Sequence, residues 1–240
     1  MFVTEQFYIG VRDFDKNYDL KNEQLLYFLE SVAAKHSNIA GFGIKQMEQT
    51  KLTWVLLNWR VDITSRPKYD DTIVVKTWSA SIDKLYAYRD FEIYDTNNNL
   101  KGTATSKWLL MNTDTWKFVK LNEQQMESYE TENMTIYEDY IYPKIKTNIN
   151  YNSSAKRVLI SNNMIDINHH VHNTCYYTMA LDVLPEELKE KQFDHFEIIY
   201  KKEIKKDDII YGNYAIDDNN QYIISLINQD GQINSQIILN

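Results

Sequence analysis

A chain of 240 residues, 43% hydrophobic and 13% aromatic with 18 Tyr and 5 Trp, is long enough for a sizeable core and too apolar for a disordered polypeptide. Its formal net charge of −8 argues against a nucleic-acid binder, which needs clustered Lys and Arg in excess to neutralise phosphates. The single cysteine, Cys175, excludes an intrachain disulfide and fits a reducing cytoplasm, while no basic-then-apolar leader opens the sequence and no run approaches a membrane span.

From Asn22 onward, Leu25, Phe28, Leu29, Val32 and His36 recur at helical spacing and predict an amphipathic helix, capped by Asn22 and stopped at Gly41 and Gly43. Val55, Leu57, Trp59, Val61 and Ile63 then alternate with Trp54, Leu56, Asn58, Arg60 and Asp62, which predicts a strand with one buried face. Further β-rich runs follow at 72–82, 86–95 and 103–112, with Asn97, Asn98 and Asn99 offering a hairpin turn between the last two. The polar stretch 122–150 reads as a linker. Beyond it the order repeats: a helix from about His169 to Val183, stopped by Pro185, then strands within 196–204, 209–216, 221–228 and 233–240, with a turn at Gln229, Asp230 and Gly231. Laying 61–71 on 198–208 superposes apolar on apolar and Asp70-Asp71 on Asp207-Asp208, and pairs Arg66 with Glu203. This is the pattern of a duplicated α+β unit, one helix against an antiparallel sheet twice over, whose sheets pair side by side.

The densest chemistry lies in 162–173, where Asp166, Asn168, His169, His170 and His172 fall just before or inside a predicted helix start. The unpaired backbone N–H groups of such a start carry positive partial charge and can stabilise an oxyanion. Asp166 or Asn168 equally suits a helix cap.

The segment IDINHHVHNTCYY, 165–177, resembles the D-x-N-x-H-V-N-N motif of plant and bacterial acyl-acyl carrier protein (acyl-ACP) thioesterases. The resemblance covers nearly the whole chain: 52–78, YRDFEIYD at 88–95 and SKWLLMN at 106–112 are similar to the family's N-terminal half, and YKKEIKKDD at 200–208 to its Y-R-R-E-C strand. It implies an α+β double hotdog of two long helices each packed on an antiparallel sheet. Residues 1–125 would be an N-terminal hotdog holding the acyl pocket, 126–150 a linker, and 151–240 the catalytic hotdog. The implied activity is hydrolysis of fatty acyl-ACP to free fatty acid and holo-ACP. The family's catalytic Asp, Asn, His and Glu fall on Asp166, Asn168, His170 and Glu203. Two positions depart from the pattern: His172 replaces the first Asn of the N-N pair, leaving Asn173 as the second and a candidate substrate contact, and Ile204 replaces the Cys that follows the Glu. With no thiol at 204 and Cys175 on the packed side of the helix motif, a cysteine nucleophile is disfavoured. Water would attack instead, with Glu203 or His170 as general base, Asn168 and a helix-start N–H holding the carbonyl, and Asp166 orienting the helix start.

The same resemblance brings Trp54, Leu56 and Trp59 to the acyl chain, where the bland alternative is plain core. Lys201, Lys202, Lys205 and Lys206 form the densest basic run and suit docking of an acidic carrier protein with its phosphopantetheine-linked acyl chain, or else guard an edge strand. The histidines lack H-E-x-x-H spacing and no glycine-rich phosphate loop occurs, so neither a metal nor another cofactor is expected. The expected setting is a bacterial cytoplasm, since no transit peptide precedes the first hotdog. A monomer and a homodimer both fit a chain that carries its own pairing. The rival readings are an acyl-CoA thioesterase of the same fold and a non-catalytic acyl-binding or regulatory hotdog.

Overall fold

The apolar stripe that begins at Leu25 forms the 18-residue helix α1 (Asn22–Ile39), which buries Leu25, Phe28, Leu29, Val32 and His36, the five positions its periodicity selects. Each fully buried Leu or Val on this face contributes roughly 1.5–3 kcal/mol. The computed structural model describes residues 1–132, 134–138 and 140–240, which divide into two units, Met1–Tyr140 and Ile141–Asn240. In the first, α1 packs on β1 (Val3–Tyr8) and β3 (Thr72–Ile82), with Phe7 stacked on Phe28 at 4.4 Å. The short helix α2 (Met47–Thr50), β2 (Leu52–Ile63), β4 (Tyr86–Asp95) and β5 (Leu100–Asn112) complete an antiparallel sheet in the order β1-β3-β4-β5-β2.

Three expectations need correction here. Asn22 does not cap α1: it is the first helical residue, fully buried, and its Oδ1 accepts Arg66 Nη1 at 2.8 Å. The alternation in β2 changes phase at a bulge between Leu56 and Asn58, so Leu56 is buried before it and Trp59 and Val61 after it, and the expected face holds only from Trp59 on. Residues 122–132 and 134–138, read as the start of a linker, pack on the first sheet. There, α3 (Glu123–Ser128) opens with a capping box of Asn122 and Gln125, Trp54 Nε1 donates to Tyr129 Oη at 2.7 Å, and Trp78 Nε1 donates to the Met134 carbonyl at 2.8 Å. The Asn97–Asn99 turn forms as expected, gathered by the Asp95 carboxylate, which accepts the N–H groups of Asn97 and Asn99.

One polar cluster interrupts the first core. Arg89 Nη1 donates to His36 Nδ1 at 2.9 Å and to Thr77 Oγ1 at 3.3 Å, and all three residues are buried. Burial, and then the Arg89 charge, push the imidazole of His36 from 6.5 down to about 3.

The second unit contains β6 (Lys156–Val158), α4 (Cys175–Leu181), α5 (Glu186–Lys189), β7 (His195–Tyr200), β8 (Ile210–Ile216), β9 (Tyr222–Asn228) and β10 (Ile233–Leu239). Its antiparallel order is β7-β10-β9-β8-β6. The expected long second helix is only seven residues, because 164–172 is a hairpin, and β7 ends at Tyr200, which leaves Glu203 on a connection rather than a strand. Tyr177 of α4 packs on Phe196 of β7 at 4.9 Å. Where β8 runs under the end of the α4 segment, a Cβ on Gly212 would sit 2.1 Å from Val183 Cγ2, so this approach requires glycine. Among the described residues no helix is long and apolar enough to cross a membrane.

Candidate active site

The hairpin is closed by backbone bonds from His172 N–H to the Met164 carbonyl and from Asp166 N–H to the His170 carbonyl, both 2.8 Å, and by an Ile165–Val171 bridge. Asp166 builds its tip. Its Oδ1 accepts the N–H groups of Asn168 at 2.8 Å and His170 at 3.0 Å, and its carbonyl accepts the His169 N–H at 3.1 Å. His169 takes φ 62°, the left-handed conformation that turns the chain back and forbids a helix here. Neither Asp166 nor Asn168 is therefore a cap of α4, and Asp166 orients this turn instead of the helix start.

A second segment lies against the hairpin. Val171 N–H donates to the Ile204 carbonyl at 2.7 Å and His170 bridges Lys205, so Glu203 sits beside the strand that carries His170. Asn234 Nδ2 donates to the Glu203 carbonyl at 3.2 Å, and the turn after it is closed by Lys205 N–H on Asp208 Oδ2 at 2.9 Å. Glu203 and Asn168 are exposed, whereas Asp166 and His170 are half-buried. Among the described residues neither the Glu203 carboxylate nor the Asn168 carboxamide has a hydrogen-bonded or ion-paired partner, so both are open to a ligand. Two tyrosines back the site: Tyr176 Oη accepts the Ile204 N–H at 2.9 Å, and Tyr200 Oη donates to the Asn173 carbonyl at 2.9 Å. Burial, with the carboxylates of Glu203, Asp208 and Asp166 adding to it, pushes the Tyr176 phenol well above 10, so it stays neutral.

Among the described residues the N–H groups from Thr174 to Tyr177 are already committed and offer no donor to an oxyanion. The N–H groups of Cys175, Tyr176 and Tyr177 donate to the carbonyls of His172, Asn173 and Thr174, and that of Thr174 to His172 Nδ1. Cys175 is buried at the first turn of α4, as a small core residue would be. Leu56 and Trp59 are core: Trp59 packs on Phe91 at 5.2 Å and Trp108 at 6.4 Å, and only the half-buried Trp54 retains exposed surface. Lys201, Lys202, Lys205 and Lys206 are all exposed, and among the described residues none of their ammonium groups is ion-paired.

The site has a copy in the first unit that the sequence reading missed. Asp15 Oδ1 accepts the N–H groups of Asn17 at 2.8 Å and Asp19 at 3.1 Å, Tyr18 takes φ 64°, and Lys21 N–H donates to the Asp13 carbonyl at 2.9 Å. Leu20 N–H donates to the Pro67 carbonyl at 2.9 Å and Asp19 bridges Lys68. Residues 13–22 thus reproduce 164–173 bond for bond, and Arg66 holds the place of Glu203 as the repeat alignment expects. The overlooked signal is Asp15-Lys16-Asn17 ahead of Asn22, matching Asp166-Ile167-Asn168 ahead of Asn173. Since Asp15 shapes the same turn without a carboxylate at the position of Glu203, the turn-shaping role of Asp166 is independent of chemistry.

The N-terminal domain model of acyl-ACP thioesterases matches residues 2–129 and the C-terminal domain model matches 152–240. The chain belongs to the acyl-ACP thioesterase family. It is 23% identical over 227 residues to the chloroplastic oleoyl-acyl carrier protein thioesterase 1 of Arabidopsis thaliana, covering 86% of this chain and 61% of that protein. The chain spans about three fifths of the length of the first curated thioesterases it matches. A solved acyl-ACP thioesterase from Bacteroides thetaiotaomicron superposes with TM-score 0.86 at 23% identity, covering 99% of this chain and 96% of that one. The 12:0-ACP thioesterase from Umbellularia californica superposes with TM-score 0.85 at 19% identity, covering 100% and 96%. The α+β double hotdog expected of the family is therefore the fold, with the second helix shorter than expected.

Proposed function

We propose that this chain hydrolyses fatty acyl-ACP thioesters, releasing free fatty acid and holo-ACP. The observation that carries the reading is the Glu203 carboxylate and Asn168 carboxamide, partnerless among the described residues, on two hydrogen-bonded segments, the Asp166 hairpin and the connection after β7. Glu203 accepts a proton from water, whose oxygen attacks the thioester carbonyl carbon. Asn168 Nδ2 donates to the resulting oxyanion, and collapse expels the phosphopantetheine thiolate. A thiolate leaves without prior protonation, so one base suffices. His170, on the same hairpin, is the alternative acceptor, and Glu203→Gln and His170→Gln separate the two. Asn173 and Trp54 are the remaining candidates to contact substrate. The reaction uses no cofactor, and we assign it to a reducing cytoplasm, where the holo-ACP thiol persists.

The test is the initial rate of thiol release from acyl-ACP and matched acyl-CoA over several chain lengths. The reading expects acyl-ACP to turn over with acyl-CoA far slower. Preference for acyl-CoA reassigns the carrier, and turnover of neither makes the chain an acyl-binding module.

The four exposed lysines beside Glu203 suit the acidic carrier. Reversing Lys201 and Lys202 to Glu is expected to raise KM for acyl-ACP about tenfold at low salt, with the effect fading as salt screens it. An unchanged KM at low salt would sink the docking role.

A further inference from the structure

Position 66 in the first unit and position 203 in the second show how each hairpin is held. Arg66 Nη1 donates to the Leu20 carbonyl and to Asn22 Oδ1, both at 2.8 Å, and so clamps the first hairpin to the start of its helix. Glu203 stands at the same place and, as a carboxylate, has no proton to donate. The second unit needs another clamp, and its copy of Asn22 is Asn173, whose carbonyl accepts Tyr200 Oη. The matching residue in the first unit is Ile63. The exchange goes further at the next position. Pro67 has no N–H, and the α1 residue that aligns with Tyr176 is the apolar Leu25; its counterpart Ile204 has an N–H, which Tyr176 Oη of α4 accepts at 2.9 Å. Tyr176 and Tyr200 meet edge to face at 5.1 Å, with Tyr176 fully buried. At these two aligned positions a hydroxyl is present in the unit that carries the carboxylate and absent from the other.

We infer that Tyr176, braced by Tyr200, is a positioning residue that fixes the backbone next to Glu203 and so aims its carboxylate at the Asp166 hairpin. This rests on the thioesterase reading above. Removing the phenol oxygen leaves the Ile204 N–H buried without an acceptor, which is the costly way to lose a hydrogen bond; removing the N–H as well, as Pro67 does naturally, removes the penalty.

Tyr176→Phe is expected to lower kcat for acyl-ACP at least tenfold with KM within twofold of the parent chain. Amide hydrogen exchange should quicken over 201–208 and stay unchanged in β9. Adding Ile204→Pro to Tyr176→Phe should recover most of the lost kcat, because both partners are then gone. A Tyr176→Phe protein with kcat within twofold of the parent overturns the inference. So does exchange that quickens throughout the second unit, which would make Tyr176 ordinary core, or a folded double variant that stays at the single variant's rate. If the double variant does not fold, the exchange pattern and the split between kcat and KM decide alone. A parent chain that turns over no thioester would remove the hydrolase reading, while the exchange experiment would still judge the contact.

Discussion

Glu203→Gln is expected to lower kcat for acyl-ACP by about 10²- to 10⁴-fold, the range a positioned general base contributes, with little change in melting temperature. The side chain is exposed and partnerless among the described residues, so the amide strands no buried group and alters only the capacity to take a proton. His170→Gln in parallel separates the two candidate bases, since its backbone N–H bond to Asp166 survives the change. With Glu203 as base, the His170 variant falls less far than the Glu203 variant. Full activity of Glu203→Gln together with collapse of His170→Gln would transfer the role to the imidazole.

The second large effect is on stability. His36 is buried against Arg89 and the phenol of Tyr129, with the N-terminal ammonium also acting on it, and its imidazole is held neutral to about pH 3. An unfolded chain takes up that proton near 6.5, so below 6.5 the unfolded state binds more protons and folding weakens as pH falls. Stability from this residue is whole above pH 6.5, is reduced by about 2 kcal/mol at pH 5, and continues to fall towards pH 3. All 5 Trp lie in Met1–Tyr140, so tryptophan fluorescence reports this unit's unfolding. Urea titrations at pH 7.5, 6 and 5 should show the loss in the parent chain and a much flatter response in His36→Gln, which keeps an acceptor for Arg89. Equal slopes in the two proteins would remove His36 as the cause.

What could be read in advance followed from how each signal arises. Helix α1 is legible because its stripe meets one continuous sheet face, and the candidate catalytic segment because Asp, Asn and His crowd seven positions. The second helix is over-read for a local reason: the same Asp166 that resembles a helix cap captures two N–H groups of a turn, and His169 crosses into left-handed φ, neither of which leaves a periodic trace. The bulge at Leu56–Asn58 is likewise silent, because apolar side chains occupy both phases of β2. The hairpin copy at 13–22 escapes because Asp15 and Asn17 are common turn residues; only the bonds they make reveal the match. Leu56 and Trp59 are candidates for the pocket in the sequence, with plain core the safer reading, and their burial assigns them to core.

Arg66 and Glu203 also constrain how such a chain can change over generations. A substitution at that place that brings in a carboxylate takes away a guanidinium clamp in the same step, so the proposed base and local fragility arise together. The hydroxyls at 176 and 200, and a residue other than proline at 204, belong to that one state; leucine, isoleucine and proline at 25, 63 and 67 belong to the other. Neither state is reached from the other by a single residue. The two halves of this protein are consequently fixed in their separate duties more firmly than one reacting side chain would suggest.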